Sequence, residues 1–522
     1  MADRVSIDVI DRIRPTVAQV AQGYAKRLAG MQHCDIRVEA SEGVGAYAEN
    51  GTPKGSGEER GFSFGVRVLA EQGGAVAPGY YGKSLGAADV DNIGKTLREG
   101  VRHAYDRARA SAAHKATSRG RFGRLGESLY DSALASVDVH VDTINAVYEQ
   151  DPRQLSLEKI MGQLIDVSKA VGGTSSKVRY NGTGATSLLI RDLFCSSNGS
   201  NIDHTYAQTE AIVFVMVNGD TGPLELYDFN GHHRGWEIME RGYDHQYVVA
   251  PDLMSFATDL AQQAVATANA PPLPTSDGDV TVVTDPHYNT LLVHEIVGHP
   301  SELDRAMKME AGYAGRSWLL NSINDTQIGK QIASPLVNAV SDATIEGYGN
   351  FPYDHEGTPA RRVWHIRGGI FEEFLNSRQT AEILGVAPNG GYRANDAAMV
   401  PLVRMTNTFF LPGESAPEDL VKDVEHGYYV KGHRIPSIAE SRENFRISAN
   451  QVYEINHGEL GQLYRDGAIQ ADSKDYFTHV DGVGTDFKMY PIPNCGKGQP
   501  MQAKRMGNGG PTMRSMAKVV GP

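Results

Sequence analysis

Cysteine is scarce in this sequence, and long apolar runs are missing. Cys34, Cys195 and Cys495 are the three cysteines among 522 residues. So few, in odd number, exclude a disulfide framework and indicate a reducing compartment. No stretch approaches the roughly 18 consecutive apolar residues of a membrane helix, so we predict no membrane span. Charges also interrupt the N-terminal stretch MADRVSIDVIDRIRPTVAQV, which is unlike a secretory signal. We therefore expect a soluble, cytoplasmic protein.

Clustered positive charge is likewise missing. The chain has 50 lysines and arginines against 63 aspartates and glutamates, for a formal net charge of -13. The basic residues are spread along the chain and form no basic block or basic helix. Proteins that bind nucleic acid usually concentrate such residues on one surface. We therefore predict no nucleic-acid partner.

The length of the chain predicts at least two domains, each with its own core. The clearest break is the segment NAPPLPTSDG at residues 269–278, which is rich in proline and small polar residues. Such a composition is typical of a linker. We place the boundary there and predict an N-terminal domain of residues 1–270 and a C-terminal domain of residues 271–522.

The two halves differ in hydrophobic period. In the first half, helical spacing marks segments such as 90–105, and strand signals dominate residues 176–250. Gln72-Gly73-Gly74 follows an alternating run and predicts a hairpin turn. The second half begins with the β-rich run Val280–Val283 and continues mostly as short strands and turns. We predict an α+β fold with a mixed α/β N-terminal domain and a largely β C-terminal domain that carries the metal-site helix.

Two histidines and a glutamate on the apolar stretch 291–300 indicate a hydrolytic zinc site. His294 and Glu295 are followed by His299. The common metallopeptidase pattern H-E-x-x-H sets its histidines four apart, so that one helical face presents both to the metal. Here they are five apart, which leaves the second about 140° from the first on a straight helix. A regular α-helix could not direct both at one ion.

A distorted helix end would solve this problem. Gly298 tolerates an unusual backbone, and a widened i→i+5 turn would bring His299 back to the face of His294. Pro300 should end the helix at His299. The spacing alone leaves an alternative open, in which the two histidines lie at a helix end and bind no metal.

A catalytic zinc site normally needs a third protein ligand. The candidates downstream of His299 are several carboxylates, two histidines and one cysteine, namely Glu302, Asp304, Glu310, His355, His365 and Cys495. Cys495 lies in a glycine-lined turn with Lys497 nearby, and a cation there would favour the thiolate that binds metal. The residues alone leave open whether Cys495 is a ligand or a small buried thiol. We interpret the adjacent pair His232-His233 as loop residues, because neighbours on an extended chain point to opposite sides.

Four ordered motifs resemble the TldD/PmbA family of metallopeptidases, also called the modulator of DNA gyrase family. The family's H-E-x-x-x-H is present as His294–His299, with Ile296 in place of the alanine that often follows the glutamate. Residues 353–359, YDHEGTP, are similar to its D-x-E-G-T-P element, and residues 404–413 to its R-M-T-N-T…P-G element. Residues 494–499, NCGKGQ, resemble its C-G-K-x-G-Q turn and are one residue shorter. The glycine-rich sequel of the family's histidine motif is replaced here by PSELD.

The resemblance implies a two-domain protein with a zinc site in its C-terminal domain. His294, His299 and Cys495 would be the zinc ligands, and Glu295 the catalytic carboxylate. The family pairs a metal-binding subunit with a homologous metal-free subunit, and the dimer encloses a peptide-cleaving chamber. Because this chain carries the metal motif, it resembles the catalytic subunit. Its partner would be a metal-free homologue or, in a homodimer, a second copy.

We therefore expect a peptidase that acts on short or unfolded peptides. A zinc-activated water would attack the peptide carbonyl, with Glu295 as general base. Exposed strand edges in the C-terminal half would bind an extended peptide through its backbone. Two alternatives stay open. The chain could be a non-catalytic peptide-binding or structural subunit, or a thiol amidohydrolase that uses Cys495.

Overall fold

A seven-stranded sheet is the scaffold of the N-terminal half. The computed structural model of the protein describes residues 5–122, 131–309 and 315–522. The strands of this half are β1 (Met31–Glu49), β2 (Thr52–Gln72), β3 (Ala75–Ser84), β4 (Val141–Ile144), β5 (Val178–Ser196), β6 (Asn201–Gly219) and β7 (Gly222–His232). Their order is β3-β2-β1-β5-β6, and both β4 and β7 pair with β6. The β2–β3 hairpin turns at Gly73 and Gly74, which both have positive φ, as predicted.

Helices cover one face of this sheet. They are α1 (Val9–Gln19), α2 (Ala87–Val90), α3 (Ile93–Phe122), α4 (Leu157–Gly173), α5 (Glu237–Arg241) and α6 (Leu253–Ala268). On β1 the even-numbered residues, such as Ile36 and Val38, pack in a core with α1 and α3. Further along the strand, Val44 and Ala46 share a core with α4 and α6. The period of two in β1 therefore places all of these side chains on the helical side.

The opposite face of the sheet is charged and lies against the C-terminal half. Asp35 on β1 accepts a hydrogen bond from Arg67 on β2, at 2.5 Å. The same guanidinium donates to Glu356 of the C-terminal half, also at 2.5 Å. All three side chains are buried. A buried ion-pair network therefore joins the two halves of the chain.

The C-terminal half is built from two larger sheets and short hairpins. A short hairpin of β8 (Tyr243–Asp244) and β9 (Val249–Ala250) precedes the predicted boundary and lies within residues 1–270. The strands of the C-terminal half are β10 (Asp279–Thr284), β11 (Leu320–Ser322), β12 (Asp325–Thr326), β13 (Ala339–Asp342), β14 (Arg362–Arg367), β15 (Ile370–Phe371), β16 (Tyr392–Arg393), β17 (Leu402–Val403), β18 (Thr408–Phe410), β19 (His426–Ile438), β20 (Asn444–Asn456), β21 (Glu459–Tyr464), β22 (Ala468–Asp472), β23 (Gly482–Val483), β24 (Lys488–Lys497), β25 (Gln502–Gly510) and β26 (Met513–Val520). Its helices are α7 (Pro286–Val293), α8 (Leu303–Ala306), α9 (Arg378–Leu384), α10 (Pro417–Lys422) and α11 (Ser473–Thr478).

Strand pairing closes one of these sheets on itself. The order is β10-β19-β20-β22-β26, and β10 also pairs with β26. A six-stranded sheet, β15-β14-β13-β18-β25-β24, lies beside this ring. Helix α7 packs against β19 of the ring and against β24 and β25 of the six-stranded sheet. The chain thus holds α7 between two sheets, next to the strand that carries Cys495.

The fold class is α+β, as the sequence predicts. In the described part of the chain, the named strands pair with partners on their own side of residues 269–278. We therefore keep 1–270 and 271–522 as the proposed domains. None of the helices in the described ranges is both long and apolar enough to cross a membrane.

Candidate metal centre

The metal-site helix is fixed at its start by its sequence. Asp285 caps α7, and its carboxylate accepts a hydrogen bond from the backbone N–H of Tyr288 at 2.7 Å. Pro286 occupies the first helical position, where its missing N–H costs nothing. The Tyr288 hydroxyl donates to the carbonyl of Ile447 on β20 at 2.8 Å. These contacts fix the direction of α7 and therefore the position of His294, which follows it directly.

The widened turn predicted from the five-residue spacing is present. Residues His294–Gly298 form a π-helical turn, in which the N–H of His299 donates to the carbonyl of His294 at 3.0 Å. Because the turn holds one extra residue, His299 returns to the same side of the helix as His294, which a regular α-helix would not allow. The two imidazole rings lie with their centroids 4.7 Å apart. The π-helical turn ends at Gly298, close to Pro300 as expected. His299 nevertheless keeps helical backbone angles, φ -61° and ψ -45°, although a following proline usually disfavours them.

Gly298 is needed in this turn for space. A β-carbon at this position would lie 1.9 Å from the sulfur of Met405, which is buried. Gly298 was predicted to provide backbone freedom, whereas in the structure it permits close packing against Met405 of the 404–413 motif.

The structure brings the three predicted ligands together. One ligand atom from each of His294, His299 and Cys495 lies within 4.8 Å of the others, and all three residues are buried. The thiol sulfur of Cys495 is 3.5 Å from Nε2 of His299. Two imidazole nitrogens and a thiolate suit the preference of zinc, and three protein ligands match the number found in catalytic sites. The donor set therefore fits a zinc ion.

Hydrogen bonds to the outer nitrogens orient both imidazoles. Nδ1 of His294 lies 3.1 Å from the side-chain oxygen of Asn508. Nδ1 of His299 lies 3.1 Å from a carboxylate oxygen of Glu302. These contacts leave Nε2 of each ring to bind a metal, an arrangement that is typical of protein zinc sites. Glu302, which the sequence offered as a possible third ligand, is thus a partner of a ligand.

The charge of Cys495 is set by its neighbours. Burial opposes ionisation of the thiol, but His294, His299 and Arg404 outweigh it and hold the pKa of Cys495 well below its usual value. Burial alone would lower the pKa of His294, whereas the Cys495 thiolate beside it raises that pKa to about 9. We expected Lys497 to favour the thiolate. Its amine instead donates to Glu302 and to Asp304, at 3.2 and 2.7 Å.

Glu295 lies at the same turn and carries a negative charge. One of its carboxylate oxygens accepts a hydrogen bond from Nη1 of Arg442 at 2.7 Å. Burial would raise the pKa of Glu295, but His299, His294 and Arg442 keep it below its usual value. A carboxylate beside two imidazoles that could hold a metal ion can accept a proton from a reacting water.

A cavity of about 430 Å³ gives access to this cluster. The ligand residues and Glu295 line it, together with both aromatic and charged side chains, among them Tyr227, Asp228, Phe229, Arg305, His433, Arg434 and Arg442. A volume of this order is typical of ligand-binding sites. Asn508, Arg434 and Arg442 were missed by the sequence analysis, because no local pattern marks them.

The other motif residues support the site indirectly. The buried guanidinium of Arg404 donates to the backbone carbonyl of Cys495 and to that of Gln502, the latter at 3.0 Å. Asp354 accepts hydrogen bonds from the backbone N–H groups of Glu356 and Thr358, both at 2.9 Å. The first contact positions the strand of Cys495. The contacts of Asp354 shape the turn in which Glu356 reaches Arg67.

The two other histidine candidates lie outside the metal cluster. Nε2 of His355 is 3.3 Å from Asp192, and Nε2 of His365 is 2.8 Å from the hydroxyl of Ser341. Glu310 is outside the described residues. The pair His232-His233 was predicted to lie in a loop, but His232 ends β7 and is buried.

Comparison with known proteins agrees with this architecture. The family model described as PmbA/TldA metallopeptidase C-terminal domain matches residues 277–520. The model described as PmbA/TldA metallopeptidase domain 1 matches residues 34–112. The chain resembles TldE from Thermococcus kodakarensis in fold, with a TM-score of 0.65 and 14% identity, over 98% of this chain and 100% of that chain.

Two relatives are similar in sequence. A metalloprotease from Methanothermobacter thermautotrophicus is 30% identical over 328 residues, which are 63% of this chain and 66% of that protein. A zinc metalloprotease TldD homolog from Saccharolobus solfataricus is 27% identical over 248 residues, which are 47% of this chain and 52% of that protein. The chain therefore spans about two thirds of the first relative and about half of the second. The chain belongs to the PmbA/TldD family of metallopeptidases.

Proposed function

We propose that this chain is a zinc-dependent peptidase that hydrolyses short or unfolded peptides. The observation that carries this proposal is the convergence of His294, His299 and Cys495 beside the carboxylate of Glu295, in one cavity. The name of the Saccharolobus solfataricus relative, a zinc metalloprotease, supports zinc as the metal.

In this proposal the residues of the site have separate roles in metal binding, ligand orientation and proton transfer. His294, His299 and Cys495 would hold the zinc ion, with Asn508 and Glu302 orienting the imidazoles. When bound, zinc supplies Lewis acidity that lowers the pKa of water toward roughly 7 and polarises a peptide carbonyl. Glu295 would take the proton of the attacking water and pass it to the leaving amine, as general base and then as general acid.

The substrate and the assembly are part of the same proposal. The cavity has room for a short extended segment rather than for a folded domain. Dimerisation, with a homologous metal-free subunit or with a second copy, would enclose the site in a chamber. Similarity in fold to TldE, at 14% identity, is compatible with such pairing between homologues.

One rival function has a specific observation in its favour. The Cys495 sulfur lies 3.5 Å from Nε2 of His299, and its pKa is low, as in thiol hydrolases. A thiol amidohydrolase would use Cys495 as nucleophile and would need no metal. The alternative of a structural or peptide-binding subunit would retain zinc and lack turnover.

Metal removal separates these functions. We expect chelation to abolish peptide cleavage, and added zinc to restore it, while a thiol enzyme would survive chelation. Elemental analysis of His299→Ala should give a folded, zinc-poor protein, whereas the exposed His479→Ala should keep its zinc. Equal zinc in the two variants would remove His299 from the ligand set.

A further inference from the structure

The charged residues of the metal cavity are not all neutralised by the chain itself. Beside the metal ligands, five charged residues line the cavity, namely Asp228, Glu295, Arg305, Arg434 and Arg442. Asp228 is paired with Nε2 of His287 at 3.1 Å, and Arg305 with Glu302 at 3.1 Å. Glu295 and Arg442 pair with one another at 2.7 Å.

Arg434 has no comparable partner. Within the described chain, its guanidinium donates no hydrogen bond, and its nearest carboxylate is that of Asp466, 3.8 Å from Nη1. Asp466 is itself held by Nε of Arg465 at 2.6 Å. The Arg434 side chain is 16% exposed, so it is largely removed from bulk water. A guanidinium in this setting favours an anionic partner.

Arg442, which lines the same cavity, also has free donors. Among the described residues, the Arg442 guanidinium donates through Nη1 alone, to Glu295. Its Nη2 is neither hydrogen-bonded nor fully enclosed by protein. Arg434 lies on β19, and Arg442 lies in the turn that connects β19 to β20, with a positive φ of 68°. One hairpin therefore carries two arginines over the cavity.

We propose that Arg434, assisted by the free edge of Arg442, forms a subsite that binds a carboxylate of the peptide substrate. This inference rests on the proposed peptidase function and specifies its substrate class. The carboxylate is either the C-terminal group of the peptide or an aspartate or glutamate side chain near the cleaved bond. A planar guanidinium matches a carboxylate geometrically and binds it with charge-assisted hydrogen bonds.

The contact between Arg442 and Glu295 links this subsite to the reaction. Arg442 is a positioning residue, because it orients the carboxylate that accepts the proton. A substrate carboxylate bound by Arg434 would lie in the same cavity as Glu295 and the three candidate ligands, so the peptide bonds near it would be held close to the reacting groups. The subsite would thereby select peptides that are anionic close to the cleaved bond.

The test measures binding separately from turnover. The wild-type full chain, loaded with zinc and with any copurifying partner, is titrated with fluorescent peptides whose backbone amides are N-methylated to prevent cleavage, so that the Arg442–Glu295 pair is kept. Matched pairs differ by Glu against Gln at one position, or by a free C-terminus against an amide. We expect the charged member of at least one pair to bind about tenfold more tightly, which is the effect of one charge-assisted hydrogen bond. The responsive pair identifies the source of the carboxylate.

Substitutions in the β19–β20 hairpin test whether Arg434 causes the preference for charged peptides. Arg434→Gln should remove the preference, and Arg434→Lys should retain part of it. Arg446→Gln, an exposed arginine on β20, is the control and should change nothing. Equal binding of charged and neutral peptides by the parent chain would overturn the proposal, and so would a preference that survives Arg434→Gln. If the preference is present but zinc-loaded wild-type protein cleaves no peptide, the peptidase function fails and the subsite stands.

Discussion

At the scale of residues, the proposed metal site depends on partners that hold the candidate ligands in place. The amide oxygen of Asn508 contacts Nδ1 of His294, and its amide nitrogen donates to the carbonyl of Thr408 at 3.0 Å. Asn508 is fully buried, so its amide cannot reorient without losing a hydrogen bond. Asn508 on β25, itself held by Thr408 on β18, therefore fixes the orientation of the His294 ring.

Removing this partner should weaken metal binding. We expect Asn508→Ala to remain folded and to bind zinc roughly 10–100-fold more weakly, which is the usual effect of losing an outer hydrogen bond to a ligand. Competition with a chromogenic chelator measures the zinc dissociation constant. Asn321→Ala, at an exposed site, is the matched control. An unchanged zinc affinity in Asn508→Ala would show that the contact does not orient the ligand.

The sequence could predict some of these residues and not others. His294, Glu295 and His299 are adjacent in a recognisable pattern, so spacing and helix geometry suffice to pair them. Cys495 is 196 positions from His299, and the family motif was needed to select it from the other candidates. Asn508 and Arg442 act through contacts made by distant strands. No local pattern encodes such contacts, so both residues required the folded structure.

At the scale of elements, the π-helical turn is the feature that makes a five-residue spacing work. It requires Gly298, because a β-carbon there would meet the sulfur of Met405. We expect Gly298→Ala to destabilise the protein by about 1–3 kcal/mol, which is typical of overpacking, and to lower its zinc content. Urea unfolding and elemental analysis measure the two effects.

A second substitution tests the cause. If the clash with Met405 is responsible, Met405→Ala should restore part of the stability in the Gly298→Ala background. Gly162→Ala, inside α4 with open space around its position, is the control and should not destabilise. A Gly298→Ala protein with wild-type stability and full zinc would contradict this account of the turn.

Most elements are predictable from hydrophobic period, whereas their assembly is not. The hairpin at Gln72-Gly74 and the strands after residue 176 follow from local patterns. The closed ring of strands does not, because β10 pairs with β26 from the far end of the chain. The charged face of β1 was also missed. A strand with one apolar and one polar face looks half-exposed in sequence, although here the polar face is buried between the halves.

At the scale of the whole molecule, the network of Asp35, Arg67 and Glu356 joins the two halves. Burial alone would raise the pKa of Asp35, but Arg67 and His33 hold it at about 2. Because this value lies below the unfolded value of about 3.9, ionised Asp35 stabilises the fold at higher pH. That contribution is lost as pH falls from about 4 toward 2.

Substitution of the central arginine should reveal this pH dependence. We expect Arg67→Gln to destabilise the protein near neutral pH by roughly 3–5 kcal/mol, since it removes the one cation that the two buried carboxylates of Asp35 and Glu356 share. The difference in free energy of unfolding between Arg67→Gln and wild type should become smaller between pH 4 and pH 2. Urea unfolding at several pH values measures this. Arg12→Gln breaks an exposed pair with Asp91 and should have little effect at any pH. If the loss of unfolding free energy in Arg67→Gln were the same at every pH, ionised Asp35 would not be the source of the stabilisation.

The proposed chamber makes a prediction about substrates. If the site is enclosed by dimerisation, the native complex should cleave an unstructured peptide and leave a stable folded domain intact. Copurification of the complex and identification of its subunits would distinguish a heterodimer from a homodimer. Equal cleavage of both substrates would exclude an enclosed site, and full activity of a lone monomer would exclude the assembly. The two-domain division and the cytoplasmic location stay predictions.

The central claim is that Glu295 acts as the base of a zinc-dependent peptidase. The most direct measurement compares peptide cleavage by wild type and by Glu295→Gln at equal, confirmed zinc content. The amide is nearly isosteric and can still accept the hydrogen bond from Arg442, but it cannot take a proton from water. The account predicts unchanged zinc content and a loss of turnover of at least about 100-fold. Zinc-loaded Glu295→Gln that cleaves the peptide at the wild-type rate would contradict it.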